Sequence, residues 1–418
     1  MDLYKTNPKN IRYYLKNLSQ LVFEVTELCN LNCKYCAYSE LYRGNDTREG
    51  KNFSFKRAKL IIDYLYDLWK DDYSDGSNRE LSIGFYGGEP LMNVPFIKQT
   101  INYLESLELK KIGRKCSYSM TTNAMLLDQY MDYLVEKDFS LLISLDGDEF
   151  AQSYRIDNSG KNSFDRVFRN IKLLQEKYPE YFKSNINFNS VLHNRNSVES
   201  IYQFIRSRFD IIPKIAPLND VGILEEKKED FIKMYRNSVE SFYHSHNCEL
   251  IEYEMLMNAP RVARFANYVF YQSGNNYHTY NELYANTDDF PITTGTCMPF
   301  SKKMFVTVNG KILPCERISQ QFSLGQVHEN RVELNEEYVA DRHNYYVSRL
   351  AKQCAKCSTN KFCSICVYHV DNICKDDSSC PIFLSKMELE QVNKDIFKFL
   401  QEHPYYYKKI LEEVKISR

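Results

Sequence analysis

The residues with the plainest chemical capacity form the loop Cys29-Asn30-Leu31-Asn32-Cys33-Lys34-Tyr35-Cys36. A cubane iron–sulfur cluster has four irons, each wanting a thiolate. Three cysteines in so tight a loop can wrap one corner of such a cluster and leave one iron without a cysteine. An open metal position is where a ligand or substrate binds. A structural zinc site is the alternative; it needs a fourth ligand, and none is near, the first histidine being His193. A second group lies far along the chain: Cys297, Cys315, Cys354, Cys357, Cys363, Cys366, Cys374 and Cys380. Eight thiolates are enough to ligate two clusters fully. The CX2C pairs among them also suit two structural zinc ribbons. Cys116 and Cys248 stand apart and read as small buried hydrophobes.

Such loops need elements to hold them. The first 200 or so residues repeat a rhythm of short apolar run, loop and helical stretch. The runs are Leu21–Thr26, Leu81–Tyr86, Cys116–Thr122, Ser140–Leu145 and Asn187–Leu192, with a sixth at Ile211–Pro217. Helix-period segments separate them: Phe55–Trp69, with Leu60, Ile61, Tyr64, Leu65 and Leu68 on one face, then Val94–Leu107, Leu127–Val135, Phe164–Lys177 and Val198–Phe209. The alternation predicts a parallel sheet with crossover helices. Six units make a partial (β/α)6 barrel of the TIM type; a doubly wound open sheet has the same pattern, and periodicity does not separate them. Functional loops sit at the C-terminal ends of parallel strands. The cysteine loop follows the first strand, Gly87-Gly88-Glu89-Pro90 the second, Thr122-Asn123 the third and Asp146-Gly147 the fourth. These groups therefore converge on one end of one sheet.

Composition bounds the rest. The chain has 418 residues, which predicts two or three packed units. With 43% hydrophobic and 26% charged residues it is globular. The net charge of −1 offers no broad basic field, so no nucleic-acid partner is expected. The polar start MDLYKTNPKNIRYYLKNLSQ lacks a signal peptide's apolar core, and no stretch approaches the ~20 apolar residues that span a bilayer. A cytoplasmic protein with no membrane partner is expected, and reducing conditions there argue for metal ligation over disulfides.

The CX3CX2C spacing, with Tyr35 before the last cysteine, resembles the radical S-adenosylmethionine (SAM) superfamily. The resemblance implies that SAM chelates the open iron through its amino and carboxylate groups, and that one electron from the cluster cleaves the sulfonium to a 5′-deoxyadenosyl radical. A reductant such as flavodoxin or ferredoxin would supply that electron. Gly87, Gly88, Glu89 and Pro90 resemble the family's GGEP element, whose backbone carbonyls accept from the methionine ammonium. By the same resemblance Tyr35 lies near the adenine, Asn123 and Ser144 line the nucleoside or methionine site, and Arg155 reaches a carboxylate, which its rigid fork suits. An ordinary loop or surface role is the alternative for each of these polar residues.

The later cysteines resemble the SPASM domain, which holds two auxiliary four-iron clusters and so implies three [4Fe-4S] clusters in all. Carried over by position, Cys297, Cys315 and Cys366 serve the nearer auxiliary cluster, and Cys354, Cys357, Cys363 and Cys380 the outer one. Cys374 either completes the nearer cluster or is a bystander that leaves an iron open. Only Ser364 and Ile365 separate Cys363 from Cys366, where the usual pattern has three residues. FVTVNGKILPC reads as a hairpin with a type I′ turn at Asn309-Gly310, bringing Cys297 and Cys315 together. Glu316 stands where sulfatase-maturating relatives carry an aspartate base; a surface salt bridge in Glu316-Arg317 is the alternative.

The expected organisation is an N-terminal extension (1–20), a radical SAM partial barrel (21–209), a bridge (210–294), a SPASM domain (295–381) and C-terminal helices (382–418). In the bridge, Glu225–His244 reads as a charged helical stretch. The aromatic, Asn-rich Tyr268–Phe290 reads as surface loops or as a peptide-binding surface. The resemblance implies a peptide maturase that installs a thioether or carbon–carbon crosslink in a ribosomally made precursor. Twenty residues before the first strand are too few for a leader-recognition domain, so leader binding falls to a separate protein or to the bridge. A sulfatase-type maturase oxidising Cys or Ser is the second reading, weakened because Glu316 replaces the aspartate and Tyr86 the polar residue often found before GGEP. A non-catalytic iron–sulfur or zinc scaffold is the third.

Overall fold

The computed structural model describes residues 5–70, 79–255, 265–266, 268–269, 294–359, 363, 365–375 and 378–413. Two compact units emerge. One comprises Thr6–Arg236 and Cys297–His343; the other comprises Met1–Lys5, Asn237–Thr296 and Asn344–Arg418.

In the first unit the strands are β1 (Gln20–Thr26), β2 (Arg79–Gly87), β3 (Arg114–Thr122), β4 (Ser140–Ser144), β5 (Ile186–Leu192), β6 (Lys214–Pro217), β7 (Met304–Val306), β8 (Lys311–Leu313), β9 (Gly325–Val327) and β10 (Val332–Glu333). They form one sheet in the order β10-β9-β8-β7-β1-β2-β3-β4-β5-β6. Strands β1 to β6 are mutually parallel and lie in sequence order. That order decides between the two expected topologies. A doubly wound sheet reverses its strand order at a switch point; this one never does, so right-handed crossovers place the helices on one face and the sheet curls into a partial barrel.

The two faces differ chemically. Phe23 of β1 meets Phe53 and Phe96, Phe85 of β2 meets Phe139, and Phe188 of β5 meets Phe209. These positions face the helices. The alternate positions include Ser82 and Gly84 of β2, Ser119 of β3, Ser144 of β4 and Asn189 of β5, so the inner face is small and polar, and the two hydroxyls of Ser82 and Ser119 lie 3.4 Å apart. Helix Phe55–Lys70 buries Ala58, Ile61, Ile62, Leu65, Leu68 and Trp69. Its apolar stripe is thus rotated from the expected one, with Leu60 and Tyr64 only half-buried. Trp69 turns inward because its indole donates to Leu15 O at 3.1 Å.

The hairpin departs from expectation in its turn. Gly310 N–H closes onto Thr307 O at 2.7 Å, and only Gly310 has positive φ, +84°. A type I′ turn needs positive φ at both central residues. Glycine is obligatory here because a Cβ at 310 would overlap Val327 O. Strand β7 pairs in parallel with β1, so the segment leading to Cys315 extends the barrel sheet itself.

The stretch expected as one charged helix is broken. Lys228–Met234 ends before Tyr235, and Ser238–Tyr243 starts anew, capped by the Asn237 side chain accepting from Val239 N and Glu240 N at 2.9 and 3.0 Å. The terminal helices are Lys386–Glu402, opened by a Ser385/Glu388 capping box, and Pro404–Glu413. Tyr268–Phe290 lies almost wholly outside the described residues. No helix among the described residues is long and apolar enough to cross a membrane.

Candidate metal centre and active site

The cysteine loop leaves β1 and is stitched to the loop that follows β4. Asn32 N donates to Ile156 O at 2.7 Å, Lys34 N to Tyr154 O at 3.1 Å, and Cys36 N closes onto Cys33 O at 3.1 Å. Burial pushes the Cys29 thiol up to about 11 and the Cys33 thiol up to about 12, and each of the three thiolates would raise its neighbours further. The thiols of Cys29 and Cys33, which disfavour their own negative charge, are suited to a cationic iron core that would reverse that penalty. Among the described residues, no three His, Cys, Asp or Glu side chains converge on one metal ion. A single zinc draws its thiolates to about 2.3 Å from one centre, whereas a cluster spreads them over separate irons.

Glycines 87 and 88 act on this loop. Gly88 N donates to Thr26 O and Glu89 N to Leu28 O, both at 2.8 Å. A Cβ on Gly88 would overlap Leu28 O, and Gly87 has φ +129°. Glycine is needed at both positions for close approach to the backbone just before Cys29. Glu89 is fully buried. Burial pushes it up to about 7, although its carboxylate accepts from Asn123 N at 2.7 Å, Thr122 Oγ1 at 2.8 Å and Leu91 N at 3.1 Å. Pro90 opens the short helix that follows. Asn123 in turn donates to Asn30 Oδ1 at 2.7 Å and lies 3.7 Å from Cys29 Sγ. The hydroxyl of Ser144, buried at the end of β4, has no hydrogen-bond partner among the described residues.

Arg155 does reach a carboxylate, but it is that of Asp146. Nε and one terminal nitrogen bond its two oxygens at 2.9 and 3.0 Å, with both residues buried. Asp146 also accepts from Tyr35 OH and from Val191 N at 2.9 Å, and His193 Nε2 lies 3.6 Å away. Burial alone would raise its pKa; Arg155 and His193 outweigh burial and hold it down to about 2. Tyr35 is stacked on His193 and lies under the Arg155 guanidinium at 5.4 Å. The fork expected to serve a ligand is therefore committed within the protein, where it anchors Tyr35 and the thiol loop. Sequence reasoning placed Asp146 in a functional loop but missed this role, and missed His193, whose only signal is that it follows β5 directly.

A second buried group lies across the sheet. Glu24 of β1 accepts from Arg48 at 2.9 Å and from Val308 N at 3.0 Å. The Arg48 guanidinium covers the Tyr38 ring at 4.0 Å, and Tyr38 neighbours Tyr86, which meets Phe305 edge-on. Tyr86 thus joins the segment after the cysteine loop to the hairpin that leads to Cys315. Glu316 pairs with Lys303, both oxygens lying 3.0–3.1 Å from Nζ, rather than forming a surface bridge with Arg317. Burial would raise Glu316; Lys303 outweighs it and holds the carboxyl below its usual range. Cys315 Sγ lies 3.6 Å from Glu316.

In the second unit, Cys357, Cys363 and Cys380 lie close enough for the thiolates of Cys357 and Cys363 to raise Cys380. Gln353 ties this group, accepting from Cys380 N and donating to Ser378 O, both at 2.8 Å. Cys354 is buried at the end of helix Ala351–Cys354, Cys366 is half-buried, and Cys374 is exposed, as is Cys297 in the first unit.

A three-thiol loop on the first strand of a six-stranded parallel partial barrel is the arrangement that the Radical SAM superfamily shares. The Radical SAM superfamily profile matches residues 23–207. A cysteine-type anaerobic sulfatase-maturating enzyme of Clostridium novyi (strain NT) is 29% identical over 214 residues, 49% of this chain and 54% of that protein. The radical SAM cyclopropyl synthase TigE of Paramaledivibacter caminithermalis is 26% identical over 214 residues, 50% of this chain and 42% of that one. The chain thus spans about half the length of these curated relatives. Solved structures of native anSMEcpe, one with bound AdoMet and one with bound AdoMet and Cp18Cys peptide, superpose with TM-scores of 0.62 and 0.59. They cover 94% of this chain and 100% and 98% of the other, at 20% and 19% identity, and share its fold.

Proposed function

We propose that this chain is a radical SAM maturase that modifies a residue of a peptide or protein substrate. The observation that carries this reading is the meeting of two segments at Tyr86: its ring neighbours Tyr38, two residues after Cys36, and meets Phe305 of the hairpin that leads to Cys315 and Glu316. Cys29, Cys33 and Cys36 would hold a [4Fe-4S] cluster; with SAM it supplies a 5′-deoxyadenosyl radical that abstracts hydrogen from the substrate. The chain's own residues do the rest. Glu89 and Asn123 brace the loop, Arg155 and Asp146 anchor Tyr35, and Glu316 is held ionised by Lys303, ready to accept a substrate proton. Cys357, Cys363 and Cys380, with Cys354, would hold an outer auxiliary cluster. A flavodoxin- or ferredoxin-type reductant would serve as electron donor.

The finer reading is a thioether or carbon–carbon crosslink in a ribosomally made precursor peptide. It is favoured by Tyr86 and Glu316, which stand where sulfatase-maturating relatives often carry a polar residue and an aspartate. Oxidation of a Cys or Ser to formylglycine is the second reading; the likeness to the sulfatase-maturating enzyme of Clostridium novyi favours it. Anaerobically purified protein given dithionite and SAM is expected to release 5′-deoxyadenosine. Colourless, zinc-loaded protein that leaves SAM intact would overturn the proposal. Mass spectrometry of a treated precursor peptide and of a cysteine-containing sulfatase peptide then separates the two products.

A further inference from the structure

The partial barrel is open between β6 and the β7–β8 side, and one segment of the same unit is bonded to both. After Cys36 the chain runs through Leu41–Lys51. On the β6 side, Arg43 N donates to Gly222 O at 2.8 Å, Leu224 N to Leu41 O at 2.9 Å, and Tyr42 OH to Asn219 O at 2.9 Å. On the hairpin side, Gly44 O accepts from Gln320 N at 3.1 Å and Ser319 Oγ at 2.9 Å. Asp46 is the anchor there: its carboxylate accepts from Lys311 Nζ at 2.5 Å and Asn309 Nδ2 at 3.2 Å, and its N–H donates to Gln320 Oε1 at 3.2 Å. Gly44 sits at φ +88°, and a Cβ there would overlap Ser319 Oγ. The segment is thus a belt across the mouth of the barrel. At one end it is continuous with Cys36, and at the other it grips the strand that leads to Cys315 and Glu316.

We propose that Asp46 is a positioning residue that, through this belt, sets the separation between the Cys29–Cys36 loop and the Cys315–Glu316 loop. The inference rests on the reading that both loops serve one substrate. Two loops that must reach the same substrate atom need a fixed spacing, since small misplacements are costly in reactions governed by proximity. Neither β1 nor the hairpin alone provides it: the last residues of β7 and β8 to pair in the sheet are Val306 and Leu313, and Cys315 lies beyond them.

The test uses full-length, anaerobically purified holoenzyme and the variants Asp46→Ala, Lys311→Ala and the double variant. In Asp46→Ala, amide exchange at Asp46 and Gln320 should rise about tenfold, while Arg43 and Leu224 stay within about twofold. SAM cleavage without peptide should persist, and the power saturation of the reduced-cluster electron paramagnetic resonance signal should shift, as it does when two paramagnets change separation. The double variant should match Asp46→Ala, because the two residues act through one bond. Unchanged exchange at Gln320, equal loosening at both ends of the belt, or loosening with an unshifted signal would each overturn the proposal. Absence of any second cluster signal would instead count against the auxiliary-cluster reading, and the exchange measurement would still decide the belt.

Discussion

The two cysteine regions of this chain are built by different physics. Cys29, Cys33 and Cys36 lie on the end of a parallel sheet, stitched by backbone hydrogen bonds to the loop after β4 and braced by buried Glu89, Asn123 and Asp146. The sheet and these bonds order the loop that carries the thiols. Around Cys357, Cys363 and Cys380 the described residues form short helices and turns, tied by contacts such as the Gln353 bonds. There the metal would have to stand in for a core, as it does in small metal-bound folds. The first region is a preformed receptor for a cluster; the second is a segment that a cluster would organise.

The largest expected effect breaks the comparison at its root. Replacing Cys29, Cys33 and Cys36 with Ala should abolish 5′-deoxyadenosine release and lower iron from about twelve to about eight per chain, leaving the C-terminal sites loaded. Surviving SAM cleavage would refute the assignment of the loop. Next, removing iron with a chelator should raise amide exchange across 354–375 far more than across β1–β5. Equal loosening of both regions would show that the sheet does not preform the first site.

Third, Asp146→Asn should cost about 3–5 kcal/mol in denaturant unfolding, because it strands the buried Arg155 charge. The same group gives a pH signature. Its folded pKa of about 2 lies below the ordinary 3.8, so its contribution is complete above 3.8 and is lost as pH falls through about 2. Stability that the variant loses equally at every pH in that range would sink this account. The smallest effect concerns Glu89→Gln, which sets an amide NH2 against donors from Leu91, Thr122 and Asn123. A loss of about 1–3 kcal/mol is expected, with reduced cluster retention; unchanged stability and full iron content would mean the three bonds brace nothing.

Much of this was legible beforehand. The six strands fall within three residues of the apolar runs, because their helix-facing positions are large and their inner positions are small and polar. The chemical loops were legible because parallel strands put their C-terminal ends on one edge. Arg155 was legible as a carboxylate binder, yet its partner was not, since Asp146 is nine residues away and its burial depends on β5 and His193. The turn at Asn309-Gly310 was misread because its geometry is set by the neighbouring strand β9, whose Val327 crowds Gly310. Glu316 was foreseen beside Cys315, but Lys303 reaches it only when β7 and β8 pair.

By itself the sequence determined which chemistry is available: thiol spacing, glycine positions and strand rhythm are local properties, and local properties are written in consecutive residues. Only the tertiary structure decided which groups remain free for it. Arg155, Glu89 and Asn123 are occupied within the protein, and Gly44 and Asp46, unremarkable in sequence, join both sides of the open barrel. Burial and pairing are relations between distant segments, and those exist only once the sheet has closed around them.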